Sequence, residues 1–230
     1  MNHPINMSIT PNLAIISQRV LTPKGERPAA ILIQEEKIMD IVSISEIPSD
    51  CPVEDMKNDV VMPGLVDTHV HINEPGRTDW EGFETATKAA AAGGITTLVD
   101  MPLNCIPVTT TVDALNHKIA ATKNQLWVDC GFYGGLIPDN LQDIESLADA
   151  GVLGFKAFLS HSGIDEFPNI NEKYLREALP IFANKGIPVL VHAELENGAT
   201  HSEDHSTYKS FQDSRPKSWE NNAVKLLIQL

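Results

Sequence analysis

Two histidines, His69 and His71, are two residues apart in the apolar segment that begins at Gly64. Side chains two apart in a β-strand project from the same face, so both imidazoles are expected to enter the same space. Two imidazoles placed in this way can bind one divalent metal ion. The alternative is a pair of core histidines satisfied by hydrogen bonds, although two such rings in an apolar strand are costly to bury without a partner. The spacing therefore favours a metal site.

Lys156 lies within the apolar segment 154–159, where a charged ammonium group is strongly disfavoured. One interpretation is a lysine near a strand end, whose stem is buried and whose ammonium group reaches water. The other is a neutral, nucleophilic amine that could form a Schiff base or combine with carbon dioxide to give a carbamate. A carbamate carries two anionic oxygens and could bridge two metal ions. The residues alone leave both interpretations open.

His192 closes another apolar segment, Pro188–Ala193. By itself such a histidine more often belongs to the core or contacts a substrate than binds a metal ion. A role as a metal ligand is favoured because other polar residues also lie towards the carboxyl ends of strands. A barrel carries its active site at that end. His69, His71, Lys156 and His192 would meet at one point only if the sheet curls into a barrel.

Alternating strands and helices are predicted from Met62 onward, and they would position these residues. The predicted strands are apolar enough to be buried on both faces, and amphipathic segments separate them, which indicates a parallel sheet covered by helices. The predicted strands span 64–72, 95–101, 127–132, 153–159 and 188–193, and the predicted helices span 80–92, 111–123, 141–150 and 172–185, with a further helix from about Ser218.

Two α/β architectures fit this order of elements: an open doubly wound sheet, or a TIM-like (β/α)₈ barrel that is incomplete, with about five strands. No glycine-rich phosphate turn follows the first strand, which weakens the dinucleotide-binding form of the open sheet. The candidate metal chemistry favours the barrel.

Amino-terminal to the barrel portion, short β-type segments at 13–16, 30–33 and 38–44 predict a small antiparallel sheet, too short to be stable alone. The predicted organisation is a small β portion over residues 1–60 and an α/β barrel portion over 61–230.

The composition favours a small molecule as the binding partner. Seventeen Lys and Arg against 31 Asp and Glu give a formal net charge of −14, without a basic cluster. Such a surface repels phosphate backbones and anionic lipids, so neither nucleic acid nor a membrane is expected as a partner.

The three cysteines, Cys51, Cys105 and Cys130, form no CxxC pair and indicate a reducing compartment. No secretory signal and no membrane-length apolar segment is visible, so a cytoplasmic location is expected.

The segment 61–71, VMPGLVDTHVH, resembles the signature of the cyclic amidohydrolases, which include dihydroorotase, hydantoinase and allantoinase. The resemblance implies a barrel of the metal-dependent hydrolase type with a flanking sandwich domain. It also implies two divalent ions bridged by a carbamylated lysine. The implied ligands are His69, His71, Lys156 and His192. Zinc is the first expectation, with manganese, cobalt or iron as alternatives for the same ligands. Homo-oligomers, often tetramers, are implied as well.

Segments 71–77, HINEPGR, and 100–104, DMPLN, resemble the allantoinase pattern, and Gly154–Lys156 and Ser214–Pro216 agree with it. Dihydroorotase generally carries an arginine at the position of Asn73, where it pairs with the substrate carboxylate. A neutral asparagine cannot supply that charge pairing and suits a neutral ring such as allantoin better. Asn104 is a second candidate for substrate binding, and its alternative is an ordinary turn residue.

The resemblance implies hydrolysis of allantoin to allantoate, a step of purine catabolism, by a metal-activated hydroxide. A hydantoinase, dihydropyrimidinase or dihydroorotase is the alternative within the same class. The alternative from another class is a catalytically inactive relative that acts as a scaffold or assembly partner.

The resemblance further implies a histidine on a sixth strand and an aspartate on an eighth strand as the proton shuttle, both beyond residue 230. His201 and His205 lie in a polar segment that is predicted to be a loop, and neither is predicted to replace the missing ligand. A five-stranded partial barrel would leave two strand edges unpaired. The expectation is therefore an amino-terminal fragment or truncated product with family identity and little activity.

Overall fold

In a computed structural model of the protein, residues 10–196 and 206–230 are described. They divide into two compact units, one ending at Gly64 and the other beginning at Leu65. His201 and His205 lie outside the described residues, and so does the loop predicted to contain them. Within the described ranges, no helix is long and apolar enough to cross a bilayer.

The first unit is a small sheet built around a hairpin. Its strands are β1 (Leu13–Thr22), β2 (Gly25–Gln34), β3 (Lys37–Val42), β4 (Val53–Asp55) and β5 (Val60–Val61). β2 pairs antiparallel with both β1 and β3, as predicted. β4 and β5 both pair with β1 in parallel, so the sheet is mixed rather than purely antiparallel. The hairpin turn closes at Gly25, whose φ of +100° is a conformation that glycine adopts without strain.

β1 and β2 are each ten residues long, more than twice the length of the predicted segments. Polar residues interrupt the apolar pattern, and tertiary contacts stabilise them within the strands. Ser17 is buried, and its hydroxyl donates to the carbonyl oxygen of Asp59 at 2.6 Å. Arg19 donates across the hairpin to Glu26 at 2.8 Å. These contacts depend on pairing partners, which a local pattern of apolar residues does not reveal.

The second unit alternates strands and helices, as predicted. Its strands are β6 (Leu65–Val70), β7 (Ile95–Asp100), β8 (Asp129–Phe132), β9 (Gly134–Gly135), β10 (Phe155–Phe158) and β11 (Val189–His192). Its helices are α1 (Phe83–Ala92), α2 (Val112–Ala121), α3 (Ile144–Asp149), α4 (Glu172–Lys185), α5 (Tyr208–Ser214) and α6 (Lys217–Gln229). The helix α5 was not predicted, and the predicted helix 141–150 begins with a 3-10 turn before α3.

All strand pairings in the second unit are parallel and follow the order of the chain. β6, β7 and β8 form one sheet, and β9, β10 and β11 form another. Only Tyr133 separates β8 from β9. Its backbone N–H donates to the carbonyl oxygen of Asp100 at 3.0 Å, while the N–H of Gly134 donates to Gly154 at 2.9 Å. A doubly wound sheet reverses its strand order at a switch point. The described strands show no such reversal, which argues against that alternative.

The two faces of β10 have different environments. Phe155 and Ala157 are fully buried in the main apolar cluster, which includes Leu175 and Phe182 of α4. The ring of Phe155 stacks on that of Phe182 at a centroid distance of 4.8 Å. The alternate residue Phe158 belongs to a second apolar cluster, so α4 packs on one face only. Lys156 shares the face of Phe158 by the two-residue repeat of a strand.

The prediction that the first strand of this unit is buried on both faces is wrong. In β6, Leu65 is 51% exposed and Val66 is 58% exposed. Among the described strands, β6 pairs with β7 alone, so its second edge has no neighbour there. An apolar strand pattern predicts burial only where another element covers the strand, and no described element of the second unit covers this part of β6.

Thr111 caps the amino terminus of α2, because its side-chain oxygen accepts from the N–H of Ala114 at 3.2 Å. Thr111→Ala is expected to lower the free energy of unfolding by about 1 kcal/mol, since that N–H loses its acceptor. Thr111→Ser keeps a hydroxyl and should remain within about 0.5 kcal/mol of the wild type. Urea denaturation followed by circular dichroism measures both. Equal losses in the two variants would contradict a role as a cap.

Candidate metal centre

His69 and His71 lie side by side at the carboxyl end of β6. Their ring centroids are 5.6 Å apart, and the ring planes are inclined by 50°. Both residues are exposed, so the rings have open edges. The two-residue spacing thus places both imidazoles together, as predicted from the sequence.

The pKa of His71 is lowered, mainly because the surrounding protein removes part of the ring's hydration. The carboxylate of Asp100 acts in the opposite direction, while the positive charges of His69, Lys156 and Lys118 lower the pKa further. A neutral imidazole is the form that binds a metal ion.

Lys156 is 5% exposed in β10, and burial is the cause that lowers the pKa of its amine. Its Nζ atom lies 4.9 Å from the ring centroid of Phe158. The snorkelling interpretation requires an ammonium group in water, so the burial of this side chain argues against it. A buried amine with a lowered pKa is the form that reacts with electrophiles such as carbon dioxide.

His192 lies beside Phe158, its direct partner in the register between β10 and β11. The two rings stack with centroids 5.0 Å apart and planes inclined by 19°. Phe158 therefore contacts both Lys156 and His192, a role that sequence reasoning missed. The two-residue spacing from Lys156 was a usable indication, because it places Phe158 on the same face of the strand.

His192 also lies near a carboxylate that is paired with a cation. Its Nε2 is 3.5 Å from Oε2 of Glu194, and Nη1 of Arg215 donates to the same oxygen at 2.9 Å. Arg215 belongs to the segment Ser214–Pro216 that carries part of the family resemblance. The structure thus connects this segment with the strand that ends in His192.

Among residues 10–196 and 206–230, no three His, Cys, Asp or Glu side chains lie close enough together to hold one metal ion. His69 and His71 form one group, and His192 lies with Lys156 around Phe158. A two-metal centre does not require the three histidines at one point, because an anionic bridge can reach both ions. Imidazole nitrogens and a lysine that could carry such a bridge fit that centre.

Asn73 and Asn104 occupy corresponding turns after β6 and β7, with φ angles of +67° and +69°. Asparagine adopts this left-handed conformation more readily than most residues. Asn73 is 8% exposed, and its Oδ1 atom is buried without a hydrogen-bond partner in the described structure. Nδ2 of Asn104 lies 3.4 Å from Nδ1 of His71. A buried acceptor without a partner is costly, which makes Asn73 a candidate to accept from a ligand.

Arg77 connects the loops that carry these asparagines. Its Nη1 donates to the carbonyl oxygen of Asn104 at 3.0 Å, and its Nη2 donates to Glu166 at 2.8 Å. The N–H of Ile106 also donates to the carbonyl oxygen of Pro75 at 2.7 Å. Three loops at the carboxyl ends of the strands are thus held together beside the histidine pair.

Sequence reasoning also missed a buried ion pair, Asp100 with Lys118. Nζ of Lys118 donates to Oδ2 of Asp100 at 2.6 Å, and both side chains are almost fully buried. Lys118 lies on the buried face of α2, three and four residues after Leu115 and Ala114. A lysine that shares the helix face of two apolar residues was the indication that could have identified this buried ion pair.

Comparison with known proteins gives the family. The amidohydrolase family profile matches residues 60–229. The allantoinase of Streptomyces avermitilis is 48% identical over 219 residues, which is 94% of this chain and 49% of that protein. The allantoinase of Saccharomyces cerevisiae is 44% identical over 94% of this chain and 50% of its own length. The L-hydantoinase (dihydropyrimidinase) from Arthrobacter aurescens superposes with a TM-score of 0.83 at 30% identity, over 96% of this chain and 50% of that one.

The chain therefore spans about half the length of the curated relatives it matches. The match to the family profile includes the histidine pair, Lys156 and His192. This chain belongs to the amidohydrolase family.

Proposed function

We propose that this chain carries part of a two-metal centre that hydrolyses a ring amide of allantoin to give allantoate. The observation that supports it most directly is the pairing of His69 and His71, whose ring centroids are 5.6 Å apart, together with the burial of Lys156 in β10. The allantoinases at 44–48% identity support the choice of substrate. The structure of L-hydantoinase supports the class of reaction.

The proposed architecture follows from the same relatives. Residues 61–230 would form the first part of a (β/α)₈ barrel of the metal-dependent hydrolase type, and residues 1–60 would form part of a composite β-sandwich. The parallel strands in chain order support the barrel. Homo-oligomers are part of this proposal, and a small cyclic amide is the proposed partner.

His69, His71 and His192 would hold the metal ions, with Lys156 as a carbamate between them. When bound, the ions would supply a water of lowered pKa and would polarise the ring carbonyl. The imidazoles would contribute nitrogen lone pairs, and a Lys156 carbamate would contribute two anionic oxygens. Zinc is the proposed metal because nitrogen and oxygen ligands of this kind suit it.

The two asparagines would select the substrate. Oδ1 of Asn73 is a buried acceptor without a partner among the described residues, and a ring N–H of a neutral cyclic amide can donate to it. Asn104 contacts His71 and could also contact the cyclic amide.

In the overall reaction, water adds its oxygen to the ring carbonyl carbon. The ring C–N bond breaks, and the nitrogen takes up a proton.

Hydantoin hydrolysis is the second candidate, because a hydantoinase superposes with a TM-score of 0.83. Hydantoin, dihydrouracil and allantoin share the cyclic amide that the proposed chemistry attacks. Relative turnover of the three compounds separates the candidates, and faster turnover of hydantoin or dihydrouracil would favour the second.

Metal content is the first test, because four of the expected ligands, His69, His71, Lys156 and His192, are in this chain. The protein is produced with zinc and bicarbonate, and bound metal per chain is measured by elemental mass spectrometry. We expect stoichiometric zinc in the wild type and a marked loss in His69→Ala and His71→Ala, because each variant removes one ligand. Allantoin hydrolysis is measured in parallel.

His117→Ala is the matched control, because His117 is exposed on α2 and should leave the metal content unchanged. A folded wild-type chain without stoichiometric metal would contradict the proposal and favour the scaffold alternative. Equal metal loss in the control and in the two ligand variants would also contradict it.

A further inference from the structure

Asp100 ends β7, and its carboxylate accepts hydrogen bonds from two donors, one on α2 and one just after β6. Lys118 of α2 donates from Nζ to Oδ2 of Asp100 at 2.6 Å and to the carbonyl oxygen of Met101 at 2.9 Å. Asp100 and Lys118 are 1% and 0% exposed. Burial raises the pKa of Asp100, while the Lys118 ammonium and a backbone N–H favour its charged form.

That backbone N–H belongs to Ile72. It donates to Oδ1 of Asp100 at 2.8 Å. Ile72 lies between His71, a proposed metal ligand, and Asn73, a proposed substrate contact. The hydrogen bond to Asp100 therefore holds the backbone between these two residues. The N–H of Met101 also donates to the carbonyl oxygen of Val70 at 2.9 Å. The ends of β6 and β7 are thereby fixed to each other on either side of His71.

Stability alone does not account for this ion pair. Replacing a buried ion pair with apolar residues of similar volume is often neutral or stabilising, because two charges no longer have to be desolvated. An apolar pair could fill the same space between α2 and β7. It could not accept a hydrogen bond from the Ile72 N–H, and that bond sets the backbone where β6 ends.

We propose that Asp100 is a positioning residue of the candidate metal centre, acting through the N–H of Ile72 to fix His71 and Asn73, while Lys118 holds its carboxylate in place. This inference rests on the proposed function. Asp100 does not have to touch metal or substrate. Its effect on them passes through one backbone hydrogen bond on the strand that carries both histidines.

The test uses Co²⁺ as the probe, added to the metal-free full chain in the presence of bicarbonate. In the double variant Asp100→Leu/Lys118→Met, we expect the Co²⁺ dissociation constant to rise by about tenfold or more, as is typical when a group that orients metal ligands is removed. The visible absorption bands of bound Co²⁺ should change as well, because the geometry of the ligands changes. The urea midpoint should fall less than in Lys118→Met, because only neutral backbone groups and no charge are left unpaired.

The variant Asp100→Asn/Lys118→Met is the matched comparison. It removes the charges but keeps a side-chain oxygen that can accept from Ile72, so its Co²⁺ affinity and spectrum should lie closer to the wild type. If the apolar double variant does not fold, Asp100→Glu replaces it. That variant keeps the charge but displaces the carboxylate from the Ile72 N–H, so weaker Co²⁺ binding is expected.

Wild-type Co²⁺ affinity and an unchanged spectrum in the folded apolar variant, or in Asp100→Glu, would overturn the positioning role and leave the proposed function intact. A wild-type chain that does not bind Co²⁺ would overturn both. Asp100→Asn/Lys118→Met keeps an oxygen that can accept from Ile72. If it binds Co²⁺ as weakly as Asp100→Leu/Lys118→Met, a role through Ile72 is also overturned.

Discussion

Replacing Lys118 with methionine is expected to lower the free energy of unfolding by about 3–5 kcal/mol, because the carboxylate of Asp100 is left buried without its cation. The pair is nearly inaccessible to water, and Nζ of Lys118 lies 2.6 Å from the carboxylate. Burial opposes the charge of Lys118, but the carboxylate of Asp100 raises its pKa above the usual value. Urea denaturation monitored by fluorescence and circular dichroism measures the loss.

Two variants test the origin of that loss. Lys123→Met changes an exposed lysine just after α2 and should alter the free energy of unfolding by less than about 0.5 kcal/mol. The double variant Asp100→Leu/Lys118→Met should recover most of the stability, because no isolated charge remains. A double variant no more stable than Lys118→Met would contradict this expectation, because the isolated carboxylate would then not be the cause of the loss.

The helix α4 shows how much of the fold could be predicted where the local sequence decides it. The predicted range 172–185 coincides with the observed helix. Asn171 caps its amino terminus by accepting from the N–H of Lys173 at 3.0 Å. Gly186 ends it with a φ of +64°, a conformation that suits glycine. Both end points depend on residue types next to the helix, so the sequence contains them.

The third strand of the second unit shows the opposite case. It was predicted as one strand over 127–132, whereas the structure has β8, then Tyr133, then β9 at Gly134 and Gly135. A Cβ atom at Gly135 would lie 2.4 Å from a ring carbon of Phe167, so glycine is required by a contact distant in sequence. Such contacts arise only in the folded chain, which is why the pattern of apolar residues did not predict β9.

The candidate site was predictable where the strand repeat decides which side chains face together. The proximity of His69 and His71 follows from their two-residue spacing, and the burial of Lys156 follows from its apolar neighbours. The contacts between different strands and helices were not predictable in this way. Neither the stacking of His192 on Phe158 nor the hydrogen bond from Ile72 to Asp100 has a counterpart in local spacing. Both depend on the register of neighbouring strands.

Replacing Lys156 with alanine is expected to weaken zinc binding by more than the roughly 10–100-fold that changes around the ligands cause, because it removes the proposed bridging group itself. Lys156 is buried, and its Nζ atom lies 4.9 Å from the ring centroid of Phe158, on which His192 stacks. Zinc per chain and the zinc dissociation constant are measured on protein produced with bicarbonate. Producing the wild type without added bicarbonate should lower its zinc content as well, because carbon dioxide would form the carbamate.

Lys173→Ala is the matched control, since Lys173 is an exposed lysine on α4 and should leave zinc binding unchanged. Adding a short carboxylate such as acetate to Lys156→Ala should restore part of the zinc binding, because the cavity left by the side chain can admit an anionic oxygen ligand. Full zinc binding by Lys156→Ala without any added carboxylate would contradict a carbamate bridge. Loss of zinc that carboxylates do not restore, in a variant with wild-type urea stability, would instead indicate that the amine itself is required.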